Sequence, residues 1–198
     1  MRELHGKPKK IFLGDGNAFG LKTEKLYEIL DLIAYYFPEC EGINMDATVT
    51  SVLHKSQEEL EMLARKKVKH LYLGIESGLD DVLKFMKKDH DLEQAYQAID
   101  RLHEAGLIYD AHIMTGVAGK GRGMENAEAL AQFLNRTNPA HVVNFSMFLH
   151  KEVPLYQDIR QGTFVPADER ARSKRCEEIL TIQAMGLKKR LAHTKSKT

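Results

Sequence analysis

The chain has 198 residues, of which 43% are hydrophobic and 29% are charged, a composition and length typical of a single globular domain. Its 29 basic and 28 acidic residues leave a net charge of +1, which gives no argument for binding nucleic acid or an anionic membrane. No hydrophobic run is long enough to cross a bilayer, and the amino terminus lacks a secretory signal, so we expect a soluble, cytoplasmic protein.

Short hydrophobic runs alternate with amphipathic stretches from the beginning of the chain. This alternation predicts a strand over 9–16, a helix over 23–37 and a second strand over 42–48. The sequence SQEE, which starts at Ser56, is a capping box, so we expect the next helix to begin there and to end near residue 66.

The middle of the chain continues the same alternation. A third strand is predicted over 69–76, followed by a short helix over 79–87 and a longer helix over 92–105. Asp91 has the side chain to cap the longer helix at its start, and Gly106 has the backbone freedom to end it.

The last part of the chain adds a fourth strand over 107–116, a helix over 124–136, a fifth strand over 141–149, a short turn over 155–161 and a helix over 167–191. Strands that alternate with helices need crossover connections, which give parallel strands with helices packed outside them. The sequence therefore predicts an α/β fold, and a doubly wound open sheet and a (β/α) barrel both fit the order of elements.

Polar residues and glycines follow four of the predicted strands. In both candidate folds, ligands bind at the carboxyl ends of the strands, and Asp15, Asp46 and Glu76 place three carboxylates there. Carboxylates accept hydrogen bonds from ribose hydroxyls or an ammonium group, and glycines allow a ligand close to the backbone. The set indicates a ligand with an amine, a carboxylate and a ribose, although turn chemistry explains any single strand end equally well. The four ends are 14–17 (GDGN), 44–48 (NMDAT), 74–78 (GIESG) and 114–116 (MTG).

Two further patterns favour structural interpretations. The glycine-rich loop 116–123 lacks the residue order of a P-loop, so a solvated loop explains it more simply than phosphate binding, and the roles of Lys120 and Arg122 stay open. Cys40 and Cys176 form no CxxC pair, and the nine histidines show neither HxH nor HExxH spacing. The histidines lie apart in the sequence, so we expect the chain to bind no metal.

Four segments, in this order and spacing, resemble the radical S-adenosylmethionine (SAM) superfamily, in the group of oxygen-independent coproporphyrinogen oxidase and Elp3-like proteins. The resemblance implies an open, parallel (β/α) partial TIM barrel of about five strands over 1–191, with a frayed basic tail over 192–198. The segments are 12–19 (FLGDGNAF), 71–88 (LYLGIESGLDDVLKFMKK), 113–121 (IMTGVAGKG) and 144–156 (NFSMFLHKEVPLY).

The resemblance implies roles for residues at the first two predicted strands. Gly14, Asp15 and Gly16 would contact the amino group of SAM, and Asp15 stands where the family carries a glutamate. Asp46 and Thr48 would lie near SAM or the substrate.

The later strand ends carry the remaining implied contacts. Glu76 and Ser77 would lie beside the ribose and the methionyl carboxylate of SAM. Ile113, Thr115 and Gly116 would border the adenine. No residue is assigned as catalytic, because the radical-generating centre of the family is an iron–sulfur cluster.

One motif of the family is missing from this sequence. Members of the family hold a [4Fe-4S] cluster through a CxxxCxxC loop after their first strand, and this sequence has no such loop. Its first strand corresponds to the second strand of the family, so we expect the chain to be a fragment or to have a mis-assigned start, and to be inactive by itself. The full-length enzyme would cleave SAM and generate a 5′-deoxyadenosyl radical on an unknown substrate, as an oxidoreductase.

The sequence is also compatible with other functions. The missing cysteines favour a cluster-free module that binds a nucleoside or a protein partner. The strand-end carboxylates Asp15, Asp46 and Glu76 also fit a conventional (β/α)-barrel enzyme that uses acid–base or metal chemistry. If the first strand of the family is missing, the edge of the strand over 9–14 is open, and we expect it to pair with another copy of the chain.

Overall fold

The computed structural model describes residues 6–14, 16–147 and 152. These residues contain five strands in one sheet, and the order of the strands in the sheet follows the order of the chain. The first strand pairs parallel with the second, and the second with the third. The predicted α/β class with five parallel strands is confirmed. The strands are β1 (Lys10–Leu13), β2 (Gly42–Ala47), β3 (Val68–Glu76), β4 (Ile108–Thr115) and β5 (His141–Ser146).

Helices follow β1, β2, β3 and β4. The sequence did not predict α2 or the 3₁₀ helix at Ala18–Gly20. The sequence VTSVL of α2 is rich in β-branched residues, which have low intrinsic helix propensity, so a local pattern could not reveal it. The helices are α1 (Thr23–Tyr36), α2 (Val49–Leu53), α3 (Gln57–Arg65), α4 (Asp80–Phe85), α5 (Leu92–Glu104) and α6 (Gly123–Thr137).

The predicted helix caps are present. Ser56 accepts a hydrogen bond from the backbone N–H of Glu59, whose carboxylate accepts one from the backbone N–H of Ser56, so the capping box at the start of α3 is complete. Asp91 and Gln94 form the same reciprocal pair at the start of α5. Gly106 follows α5 with φ of +75°, a left-handed backbone that glycine adopts without strain.

The sheet has a buried face and a more open face. On β3, Leu71 and Leu73 are fully buried, whereas the intervening His70 and Tyr72 are only partly buried. Successive side chains of a strand point to opposite faces, so the leucines belong to the core and the rings lie on the open face.

The chain divides into two compact units. The first comprises Met1–Ile75, Lys87–His112 and Thr137–Val143, and the second comprises Glu76–Met86, Ile113–Arg136 and Asn144–Thr198, each as far as its residues are described. In the second unit, a small core forms around three buried residues, with four partly buried hydrophobic side chains packed against it. The buried residues are Val82, Val117 and Ala118, and the packed side chains are Leu79, Met86, Met114 and Met147.

Several predicted features fall outside the described residues, namely the turn over 155–161, the helix over 167–191, the tail over 192–198 and the end of the fifth strand beyond Met147. Within the described residues, no helix combines the length and the hydrophobicity that a membrane span requires.

Candidate functional site

In the first unit, a hydrogen bond connects the segment after β1 with the end of β2. Gly14 follows the last residue of β1. Gly16 has φ of +104°, a backbone conformation that residues with a side chain rarely adopt. Asn17 Nδ2 donates a hydrogen bond to Thr48 Oγ1 over 3.4 Å. Asp15, the predicted partner of an amino group, lies outside the described residues.

Thr48 has a structural role that the sequence did not predict. Its hydroxyl accepts a hydrogen bond of 3.1 Å from the backbone N–H of Ser51, and Ser51 Oγ accepts one of 2.9 Å from the backbone N–H of Thr48. This capping box begins α2 directly after β2. The cap explains the choice of threonine here, and a contact with SAM stays a prediction for this residue.

Asp46 lies on the open face of β2, beside Tyr72 of β3, and several aromatic rings contact the ring of Tyr72. It stands opposite Tyr72 in the strand register and is only partly buried. The Tyr72 ring stacks on His70 with ring centres 5.2 Å apart, and meets Phe12 edge-on at 5.3 Å. His112 adds a further ring 5.7 Å from Tyr72. Such rings give a planar ligand a surface on which to stack.

In the second unit, β3 ends on a residue with an unusual backbone. Glu76 has φ of +61°, in the left-handed region that residues other than glycine rarely occupy. The next residue, Ser77, is fully buried, and its Oγ donates a hydrogen bond of 2.7 Å to Asn126 Oδ1 on α6. The backbone N–H of Gly78 donates to the same oxygen over 3.1 Å. These bonds fix the turn that holds Glu76.

Gly78 allows the close contact between this turn and α6. A Cβ atom added at Gly78 would lie 2.6 Å from the carbonyl carbon of Ala129 and would also clash with the backbone nitrogen of Leu130. Only glycine fits here, because both groups belong to the backbone of a helix. The glycine after Glu76 and Ser77 is therefore required by packing, whatever the turn binds.

The end of β4 places the three residues predicted to border adenine in different environments. Ile113 is buried, with 2% exposure, so its side chain is not available to a ligand. Thr115 Oγ1 donates a hydrogen bond of 3.2 Å to the carbonyl oxygen of Phe145. Gly116 has φ of +88° and begins a turn in which its carbonyl accepts a hydrogen bond from the backbone N–H of Gly119.

Arg122, in the glycine-rich loop after β4, is engaged by carboxylates. Its Nε lies 2.8 Å from Glu125 Oε2, and the same guanidinium binds Asp81. Hydrogen bonds from Arg122 hold the pKa values of the Asp81 and Glu125 carboxyls below their usual range. Since this cation already has two anionic partners, the structure adds no support for phosphate binding by the loop.

His70 and His141, which are far apart in the sequence, lie close together in the structure. Their ring centres are 5.9 Å apart, and both rings contact the carboxylate of Asp110. Sequence spacing missed this cluster because its three members come from three different strands.

A family model described as the radical SAM superfamily matches residues 1–134 of the 198. The chain belongs to this superfamily. The membership agrees with the motifs at the strand ends, which lie in the order that the family resemblance requires.

Curated relatives share modest sequence identity with this radical SAM chain. The heme chaperone HemW of Bacillus subtilis is 22% identical over 160 residues, which cover 79% of this chain and 42% of that protein. The tRNA uridine(34) acetyltransferase of Methanocaldococcus infernus is 25% identical over 115 residues, or 58% of this chain and 22% of that protein. The chain thus spans less than half the length of these relatives.

Solved structures show the fold. Elp3 of Methanocaldococcus infernus matches with a TM-score of 0.67 at 18% identity, over 88% of this chain and 44% of that chain. Coproporphyrinogen III oxidase (HemN) of Escherichia coli, described as a radical SAM enzyme, matches with a TM-score of 0.62 at 14% identity, over 89% of this chain and 40% of that chain. The partial (β/α) barrel predicted from the sequence is confirmed.

The residues present do not fit a [4Fe-4S] cluster, although the family implies SAM and such a cluster in full-length homologues. Iron–sulfur clusters are held by cysteine thiolates, and a CxxxCxxC loop supplies three of them. These 198 residues contain two cysteines. Cys40 is buried next to β2 and directs its Sγ to the carbonyl of Gly42, while Cys176 lies outside the described residues.

Proposed function

We propose that this chain binds SAM through residues at the carboxyl ends of its strands, as the cofactor-binding part of a radical SAM enzyme whose substrate is unknown. Family membership supports the class of ligand. Reductive cleavage of SAM, which the resemblance implies for a full-length enzyme, needs a cluster that these residues do not hold. The proposal for the chain itself is therefore binding of the cofactor.

The observation that carries the proposal is the backbone of Glu76. A left-handed glutamate costs free energy, about 1 kcal/mol or more, and such strained residues cluster at binding and catalytic sites. Here the turn that imposes the strain is held by Asn126 through two hydrogen bonds. A carboxylate carried on a backbone held in this way, at the end of a strand, is suited to accept hydrogen bonds from ribose hydroxyls.

The other candidate residues differ in which of their atoms can contact SAM. The hydroxyl of Ser77 donates to Asn126 and accepts from the backbone N–H of Leu79, so we propose that it shapes the turn rather than binding SAM directly. Ile113 and Thr115 would border the adenine through their backbone. Gly116 would let the ligand approach.

In the first unit, the candidate contacts to the amino group of SAM are Gly14, Gly16 and Asp46. Asp46 has the carboxylate for an ammonium group and lies on the open face of β2. Gly16 leaves room for a ligand, because nothing lies within 4 Å of a Cβ atom added there. Thr48 would act by holding the start of α2 beside Asp46.

Titration calorimetry of the 198-residue chain with SAM tests the proposal. We expect Glu76→Gln to weaken SAM binding by about 10-fold or more, because a hydrogen bond to a charged group contributes about 1.5–3 kcal/mol. The matched control is Glu104→Gln, which removes an exposed carboxylate from α5 and should leave the affinity unchanged. Absence of SAM binding, or equal affinities for wild type and Glu76→Gln, would contradict the proposal.

We also propose that the chain self-associates weakly through β1. This strand is at one end of the strand order, so one of its edges has no strand partner among the described residues. It is only four residues long, and its first residue, Lys10, is exposed, so pairing should need a high protein concentration. Light scattering after size exclusion should show an average mass that rises with concentration, and a constant monomer mass would refute the idea.

A further inference from the structure

Three side chains with metal-binding groups meet in the first unit, on three neighbouring strands. His70 is the third residue of β3, Asp110 is the third residue of β4, and His141 is the first residue of β5. Since β3, β4 and β5 are neighbours in the sheet, these positions place the three side chains together at the amino-terminal ends of the strands. The residues proposed to bind SAM lie at the carboxyl ends, so this cluster is separate from that proposal.

The donor atoms are close enough to bind one ion. Asp110 Oδ1 lies 2.8 Å from His70 Nε2 and 2.8 Å from His141 Nδ1, and the three donor atoms all lie within 4.8 Å of one another. Tetrahedral ligands with metal bonds of about 2.0–2.2 Å are about 3.3–3.6 Å apart. A separation of about 0.5–0.8 Å more at each contact with Asp110 would therefore give the spacing of a metal centre.

His70 has a buried nitrogen that no hydrogen bond explains. Nε2 of this residue has no hydrogen-bond partner among the described residues, although it lies 2.8 Å from the Asp110 oxygen, because the angles of the contact are unsuitable. Buried polar atoms without a partner are rare and costly. A cation bound to Nε2 would satisfy this nitrogen.

Asp110 adds a buried charge to the same place. Only 4% of its surface is exposed, and its ion-pair contacts within the described residues are with the two histidines and not with lysine or arginine. Buried charges in proteins are normally paired or bound to a metal. A divalent cation would balance this carboxylate while both imidazoles stay neutral, as metal ligands must be.

We propose that His70, Asp110 and His141 form a binding site for a divalent transition-metal ion of the zinc or ferrous class. Two imidazoles and one carboxylate suit these ions, whereas magnesium and calcium prefer oxygen ligands alone. Three protein ligands leave a coordination position for water or a small ligand. The His141 side chain is 58% exposed, so solvent reaches the site from this side.

Metal titration of the untagged, chelator-treated 198-residue chain tests the site. We expect Co²⁺ to bind in a 1:1 ratio with visible absorption bands, and Zn²⁺ to displace it. Loss of an outer-shell partner commonly weakens metal binding by 10–100-fold, so His141→Ala, which removes a ligand, should weaken Zn²⁺ binding by at least about 10-fold. Because His141 is largely exposed, this variant should fold normally, which circular dichroism can verify.

His54→Ala is the matched control, because His54 is an exposed histidine of the same unit, directly after α2. It should bind both metals as the wild type does. Asp110→Asn should lose the visible bands, which gives a second readout on the buried ligand. The proposal is overturned if the wild type shows no stoichiometric binding, if His141→Ala binds Zn²⁺ as tightly as the wild type, or if His54→Ala loses as much affinity as His141→Ala.

Discussion

Ser77 Oγ donates a hydrogen bond of 2.7 Å to Asn126 Oδ1, and both side chains are buried. The same oxygen of Asn126 accepts a bond of 3.1 Å from the backbone N–H of Gly78. One asparagine of α6 therefore satisfies two donors of the turn after β3. We infer that the position of Glu76, the residue before this turn, depends on that asparagine.

Replacing Asn126 by alanine leaves two buried donors without an acceptor. We expect Asn126→Ala to lower the free energy of unfolding by about 1–3 kcal/mol, the cost of unsatisfied buried groups. Urea unfolding followed by circular dichroism measures the change. Asn135→Ala, an exposed position on the same helix, should change it by less than about 0.5 kcal/mol. Similar losses in both variants would disprove the role of Asn126.

Gly78→Ala tests the contact between the same turn and α6. The added Cβ would meet the helix backbone at Ala129 and Leu130, which cannot rotate away as a side chain can. We expect a loss of about 3 kcal/mol or more, the upper range for overpacking. At Gly42, an added Cβ would lie 3.3 Å from Lys69 Cδ, the flexible part of an exposed side chain. Gly42→Ala should therefore cost less in the same unfolding assay, and the opposite order would contradict the packing argument.

Local patterns predicted much of the fold. The capping boxes at Ser56 and Asp91 and the glycine after α5 lie within a few residues of the groups that they bind, so the sequence marks them directly. The 3.6-residue period of the long helices and the hydrophobic strands gave the order of elements in the same way. The short helix α2 was missed, because its β-branched residues carry no helical pattern and its stability depends on the cap at Thr48.

The candidate sites were only partly predictable. Strand ends in chain order indicated Asp46 and Glu76, since parallel strands bring their carboxyl ends to one edge of a sheet. The left-handed backbone of Glu76 was not predictable, because glutamate carries no preference for that conformation. The pairing of His70 with His141 depends on strand neighbours that are far apart in sequence, so no spacing rule could detect it.

Tyr109 should make stability depend on pH in the alkaline range. Its hydroxyl donates a hydrogen bond of 2.6 Å to Thr137 Oγ1, and burial raises the pKa of Tyr109 above its usual value of about 10. Below pH 10 both folded and unfolded chains keep this proton, so the stabilising contribution is intact. Above about pH 10 the unfolded chain releases the proton first, so the free energy of unfolding should fall as the pH rises.

The variant Tyr109→Phe isolates this effect, because it keeps the ring and removes the ionisable group. The difference in unfolding free energy between wild type and Tyr109→Phe, measured in urea at pH 8, 9.5 and 10.5, should shift against the wild type at the highest pH. A difference that stays constant across these values would show that Tyr109 ionises equally easily in the folded and unfolded chain.

The variant Glu76→Gly tests whether the glutamate is needed for folding or for binding SAM. Glycine adopts φ of +61° without strain, but it also makes the unfolded chain more flexible. As the net effect of both, we expect the free energy of unfolding of the variant to be about 1 kcal/mol higher than that of the wild type. Urea unfolding measures this gain. Because the carboxylate is lost, SAM binding in the calorimeter should weaken at the same time.

Lys87→Gly supplies the comparison, since Lys87 is exposed and has φ of +54° at the end of α4. This substitution should also raise stability but leave SAM binding unchanged. If Glu76→Gly lowers stability and binds SAM as the wild type does, the glutamate is retained for folding and not for a ligand. If it raises stability and weakens binding, the chain tolerates a strained residue at the end of β3 because the carboxylate is needed there.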